Sequence, residues 1–148
     1  MKKILIIGGG AMGSAFSVPC IDNNHKVFIT EPYSQRFIKN LSSKNKFHSG
    51  LKINLPKKLK FKKYSNELFY EKYDLVVIAL SLTGIEFNAN ELKKFKVKSP
   101  ILVLTKGLKY EKQNKKILTI SPVSLYTSDA ADERSSVDLG GRRIIKKK

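Results

Sequence analysis

KILIIGGGAMGSAF, residues 3–16, sets a short apolar run directly against three consecutive glycines, and the fold turns on how that junction is read. Lys3 to Ile7 has the continuous apolar character of a strand buried on both faces of a parallel sheet. Gly8, Gly10 and Gly13 then fall in the spacing G-x-G-x-x-G. Gly8 permits a tight turn. Gly10 lets the backbone approach a pyrophosphate with no side chain in the way, and Gly13 lets a following helix pack closely on the strand. A helix starting there offers free N–H groups and a partial positive charge to the phosphates. Taken alone the motif is weak, because a glycine-rich turn without any ligand has the same letters.

The residues that follow supply context. Ala11 to Asn23 reads as a helix, with Asn24 as its left-handed C-cap, and His25 leads into a second apolar strand, KVFIT. Glu31 ends that strand, 23 residues after Gly8. A carboxylate there can accept hydrogen bonds from the adenosine ribose hydroxyls and would repel a 2′-phosphate, so NAD is favoured over NADP. The competing reading of Glu31 is an ordinary exposed residue at a strand end. Pro19 conflicts with the helix, since inside it a proline removes a hydrogen bond at a cost of about 3 kcal/mol.

Strand and helix patterns keep alternating. SQRFIKNL forms a helical face with Phe37 and Leu41, KLKFKKY reads as a strand, and SNELFYEKY as a short helix capped by Ser65. DLVVIALS, from Asp74, is the strongest buried strand. Gly84 to Lys94 is helical, and PILVLT and KILTIS are further strands. Strands separated by helices predict an α/β fold, a Rossmann-type doubly wound, mostly parallel sheet. Three candidate site segments, Gly8 to Gly13, Ser81 to Gly84 and Lys106 to Leu108, fall at carboxyl ends of these strands, where open α/β sheets bind ligands.

Composition excludes several other functions. The 148 residues carry a formal charge of +17, yet residues 1–121 hold 22 lysines and a single arginine, Arg36. Nucleic-acid surfaces exploit the bidentate fork of arginine, whereas these lysines are scattered over every surface segment. A solvated basic surface is the reading, with no nucleic-acid partner, although its field favours anionic ligands. No apolar run approaches the roughly 20 residues of a membrane span. Cys20, His25 and His48 do not compose a metal site. The start is not read as a signal peptide, because glycines interrupt the apolar run and Pro19 stands where a small residue would precede Cys20. A reducing cytoplasm is the expected location.

GGGAMGSAF, NKFHSGLKINLP, VVIALS and above all LTKGL occur in the order seen at the start of the NAD(P)-dependent glycerol-3-phosphate dehydrogenases, and over residues 3–121 the chain resembles that family. The resemblance implies a cytoplasmic enzyme that interconverts dihydroxyacetone phosphate and sn-glycerol 3-phosphate for phospholipid synthesis. It implies that Ala11 and Met12 lie along the cofactor pyrophosphate. Lys106 would sit between cofactor and substrate, where a lysine can stabilise negative charge as hydride arrives. Ser81 is either a ligand-facing hydroxyl or a helix cap. Pro32 departs from the family, in which a basic residue often follows the second strand, and this agrees with Glu31 in favouring NAD. Family members continue into a helical domain that carries the proton-donating lysine and the residues holding the phosphorylated substrate. None of these is recognisable here, so the fragment alone is expected to be inactive, and a homodimer would have to form through that absent domain. Ketopantoate reductases share the glycine turn, so another small-molecule reductase, or a non-catalytic NAD-binding module, is the alternative.

From Pro122 the composition changes. Three arginines and three lysines stand in residues 122–148, with no helical or strand period. LYTSDAADE and VDLGGRRII look like frame translations of adapters used in transposon-based sequencing libraries, followed by a lysine-coding poly-A run. The expectation is a dinucleotide-binding domain over residues 1–121 and a disordered, non-native tail over 122–148.

Overall fold

Along the chain run β1 (Lys3–Ile7), α1 (Ala11–Asp22), β2 (Lys26–Thr30), α2 (Gln35–Leu41), β3 (Phe47–His48), β4 (Ile53–Asn54) and β5 (Lys60–Phe61). A 3₁₀ helix (Asn66–Tyr70), β6 (Leu75–Ile78), α3 (Leu82–Lys94), β7 (Ile101–Val103), β8 (Gly107–Glu111), β9 (Lys116–Ile120) and β10 (Ser124–Tyr126) complete it. The structure, a computed structural model, describes residues 1–41, 45–105, 107–111, 116–120 and 124–126.

The principal sheet has the order β10-β7-β6-β1-β2-β5. β5, β2, β1, β6 and β7 are parallel to one another, with Ile4 opposite Val27 on one side and Leu75 on the other. β1 is therefore central, and the chain winds outward from it in both directions. This is the expected Rossmann-type architecture, and it creates a switch point at the carboxyl end of β1.

Alternate residues of the strands feed two cores. Leu5, Ile7, Phe28, Val76, Ile78 and Val103 pack with Leu68, Phe69 and Leu92 on one face. Ile4, Ile6, Val27, Ile29 and Val77 pack with Ile21, Ile38 and Leu41 on the other. With both faces covered, the strands read as unbroken apolar runs. Pro19 does lie inside α1, but Pro19 and Ala15 are both exposed. The Ala15 carbonyl left without its helical partner is thus on the wet side of the helix. Burial of Ile21, worth about 1.5–3 kcal/mol, offsets what the proline costs. Asn24 takes the expected left-handed conformation, with φ 58°.

Two expectations are corrected. KILTIS is a strand, but β9 pairs antiparallel with β8 in a separate two-stranded sheet, from Gly107 opposite Ile120 to Glu111 opposite Lys116. KLKFKKY shrinks to Lys60–Phe61, although the Lys62 N–H still donates to Ile29 O of β2 at 2.9 Å. Past Ser121, Ser124–Tyr126 pair antiparallel with β7, Leu125 opposite Leu102. Residues 127–148 lie outside the described residues.

At the amino ends of the strands, Glu71 accepts hydrogen bonds from Lys3 (2.7 Å) and Lys62. The two ammonium groups also lie over aromatic faces, Lys3 4.8 Å from the Tyr73 ring centroid and Lys62 4.7 Å from that of Phe28. The Lys3 hydrogen bond, then that of Lys62, holds the Glu71 carboxyl below its ordinary value of 4.5. Asp74 is lowered in the same way, by the Lys3 backbone N–H first and then by Lys2. A carboxyl with a depressed folded value binds protons more readily when unfolded. Its stabilisation is complete above the ordinary carboxylate range and is lost as pH falls through the folded value. Glu71→Gln is expected to flatten the acid side of a plot of denaturation midpoint against pH, below about 4.5. The change at neutral pH should stay under about 1 kcal/mol, because the Glu71 side chain is 36% exposed and its pairs are screened by solvent. An acid limb as steep as that of the unsubstituted protein would contradict this assignment.

Candidate functional site

The glycine turn sits at the switch point, at the carboxyl end of β1. Gly8 has φ +115°, a conformation open to glycine, and its N–H donates to Thr30 O at 2.8 Å. A Cβ on Gly8 would strike the Ala79 carbonyl. A Cβ on Gly13 would strike the Gly8 carbonyl oxygen and lie 3.1 Å from Ile6 Cγ2 and Ala79 Cβ. Gly10 differs from both. It is the N-cap of α1, in extended conformation at φ −64° and ψ −173°, and a Cβ there would meet nothing within 4 Å. The first and third glycines are required by the protein's own packing, whereas the second is required by nothing in the protein itself.

Gly9, the residue between, is braced from three directions. Its N–H donates to Glu31 Oε2 at 2.9 Å. Its carbonyl accepts from Ser14 Oγ at 2.8 Å and is 3.2 Å from His48 Nε2. Ser14 and His48 are buried, at 0% and 3% exposure. Glu31 is also buried, and its second carboxylate oxygen accepts from the Tyr33 N–H at 3.1 Å. It is therefore not an exposed strand-end residue; its position at the end of β2 turns it back onto the glycine turn. Both carboxylate oxygens of Glu31 thus face the turn and its flank through backbone N–H groups.

Ala11 and Met12 open α1 on its solvent side, Met12 at 51% exposure. Ser81 occupies the N-cap position of α3, but its hydroxyl makes no cap bond; it is exposed and lies 3.2 Å from Thr83 Oγ1. Lys106 lies outside the described residues. Just before it, Thr105 donates to Leu80 O at 2.5 Å, tying the carboxyl ends of β6 and β7 together. Within α3, buried Asn88 donates to Gly84 O and accepts from Tyr64 Oη, each at 2.9 Å. Burial, then the Glu91 charge and Tyr33, pushes the Tyr64 phenol up to about 12, so it stays a donor at neutral pH. Sequence reasoning passed over Ser14, Thr105 and Asn88 and weighed His48 only as a metal ligand; their polar groups act across the fold rather than along it.

A cavity of about 540 Å³ lies at the opposite end of the sheet, between Phe69, Asp74, Lys96 and Pro100, where β6 and β7 begin. Ligands of open parallel sheets bind at carboxyl ends, so this cavity is set apart from the site. Among the described residues, no helix is long and apolar enough to cross a membrane.

The doubly wound sheet, the positive-φ glycine leaving β1 and the open N-terminus of α1 define an NAD(P)-binding Rossmann domain. More particularly, residues 3–127 match the family described as NAD-dependent glycerol-3-phosphate dehydrogenase N-terminus, and the chain belongs to that family. Among solved structures it is similar to a glycerol-3-phosphate dehydrogenase from Coxiella burnetii, with a TM-score of 0.59 and 19% identity over 72% of this chain and 33% of that one. A putative 2-dehydropantoate 2-reductase from Enterococcus faecalis gives 0.53 and 19%, over 72% of this chain and 34% of that one. A putative F420-dependent NADP-reductase from Arthrobacter sp. gives 0.54 and 16%, over 88% and 56%. At these identities the structural matches speak for the fold alone, and the chain spans about a third of the length of the first two. No curated protein matches it.

Proposed function

We propose that the turn from Gly8 to Gly13 holds the pyrophosphate of NAD(H), and that a domain of this kind serves an enzyme interconverting sn-glycerol 3-phosphate and dihydroxyacetone phosphate. The observation that carries the reading is Gly10, the turn glycine whose missing side chain leaves space that no protein atom fills. The residues fit the cofactor. The amino end of α1, at Ala11 and Met12, would receive the pyrophosphate, Glu31 the adenosine ribose, and Ser81 the side of the cofactor nearest α3. A bound nicotinamide supplies the hydride donor or acceptor. Lys106 would stabilise negative charge on the substrate phosphate or carbonyl oxygen as the hydride moves. No acid/base lysine with a matching motif stands elsewhere in the sequence, so these 148 residues alone are expected to bind cofactor without turnover.

Glu31 also supports a preference for NAD. Its carboxylate is fixed beside the turn by Gly9 and Tyr33, and cannot swing away from a 2′-phosphate without breaking both bonds. NADH should therefore bind about tenfold more tightly than NADPH, a difference of about 1.4 kcal/mol. The chain has no tryptophan, so the intrinsic fluorescence of the reduced nicotinamide is the signal to titrate. Equal or tighter binding of NADPH would remove the discriminating role from Glu31. Turnover of dihydroxyacetone phosphate by these residues alone would contradict the expected inactivity.

A further inference from the structure

We propose that His48 is a positioning residue for the cofactor, orienting and polarising the peptide whose N–H faces the pyrophosphate. The inference rests on the dinucleotide reading of the glycine turn and adds a residue 39 positions away.

The Leu51 N–H donates to His48 Nδ1 at 3.1 Å. A ring nitrogen that accepts a hydrogen bond carries no proton, so the ring proton is on Nε2. Nε2–H therefore donates to the Gly9 carbonyl at 3.2 Å. The ring is held for this purpose. Phe37 packs edge-on against it with centroids 5.4 Å apart, and the turn after β3 returns the Leu51 N–H to it. Ser14 Oγ supplies the second donor, so both lone pairs of the Gly9 oxygen are engaged on the interior side.

The Gly9 carbonyl and the Gly10 N–H belong to one planar peptide group. In a trans peptide they point in opposite directions. Two buried donors that hold the carbonyl inward thus hold the N–H of exposed Gly10 outward. Hydrogen bonds to a carbonyl also polarise its peptide and strengthen the N–H as a donor, by about 10–30% per bond. Ser14 is part of α1 and moves with it. His48 ties the same peptide to the β3–β4 hairpin, so it is the contact that fixes the turn relative to a different part of the fold.

Two substitutions separate the functions of the ring nitrogens. The side-chain amide of His48→Gln reaches the Nε2 position and keeps a donor for Gly9 while losing the acceptor for Leu51. The shorter His48→Asn keeps the acceptor and loses the donor. In NADH titrations of the 148-residue chain, His48→Gln should bind within about threefold of the unsubstituted protein and His48→Asn at least about tenfold more weakly. Equal losses in the two, or losses that follow the melting temperature, would reduce His48 to a packing residue. If a variant does not fold, a measurement on the unsubstituted protein decides the same question. On saturation with NADH the His48 Nε2 proton should move downfield as the Gly9–Gly10 peptide is polarised from both ends, and an unmoved signal would overturn the proposal. Gly10→Val belongs in the same series. Failure of the unsubstituted protein to bind NADH, or normal binding by Gly10→Val, would bring down the dinucleotide reading itself. Binding that Gly10→Val abolishes but both His48 variants retain would bring down the inference alone.

Discussion

Gly10→Val is expected to leave the fold standing and to weaken NADH binding at least about 100-fold, or about 2.8 kcal/mol. The backbone at Gly10 is extended and open to any residue, and a Cβ there has no neighbour within 4 Å. The variant therefore carries neither the strain of a left-handed residue nor a clash with the core. Valine is a poorer N-cap than glycine, which limits the loss of stability to about 1 kcal/mol. Its methyl groups occupy the approach to the Gly10 N–H and the first turn of α1, where direct contact between backbone and phosphate is the source of affinity. Denaturant midpoints for both proteins, measured beside the NADH titration, separate the two effects. Unimpaired binding would show that the pyrophosphate does not lie on this turn. A collapse of stability would contradict the open surroundings of Gly10.

What could be read from the sequence follows from where the information is stored. The strands KILII, KVFIT and LVVI announce themselves because both of their faces are buried, so composition alone marks them. The glycine turn is legible because each glycine answers a local constraint. Partners in space are not local. KILTIS has the composition of a strand, but nothing within it says that Gly107–Glu111 rather than the main sheet lies beside it. β3 and β4, two residues each, are too short for any period to emerge, and His48 works through a bond to Gly9 that only the folded chain creates. Glu31 shows both sides of this. Its position at the end of β2 was predictable from spacing, whereas its bonds to the Gly9 and Tyr33 N–H groups depend on how the turn folds back over it.

Gly13→Ala should have the opposite outcome to Gly10→Val, losing stability before any question of ligand arises. Gly13 lies inside α1, where alanine is intrinsically favoured over glycine by about 1 kcal/mol. Propensity alone would make the variant more stable. Against this, the new methyl group would overlap the Gly8 carbonyl oxygen and press on Ile6 Cγ2 and Ala79 Cβ, both 3.1 Å away. The Gly8 oxygen is backbone and cannot rotate aside, and Ile6 is fully buried in the sheet core. Relief requires α1 to lift from β1, which unpacks Ile21 and the buried Ser14, and with it the Ser14 bond to Gly9. Overpacking that shifts backbone costs about 1–3 kcal/mol and occasionally more, and an overlap with a backbone oxygen falls at the upper end, so the clash outweighs the propensity gain. The expected net loss is about 2 kcal/mol or more, a large part of the roughly 5–15 kcal/mol by which domains are stable. Chemical denaturation of Gly13→Ala beside Gly10→Ala decides the point, the second variant serving as a methyl group added where there is room. If the two midpoints agree, α1 is not seated on β1 through Gly13, and the close helix–strand contact that aims the helix at the phosphates is lost from the explanation.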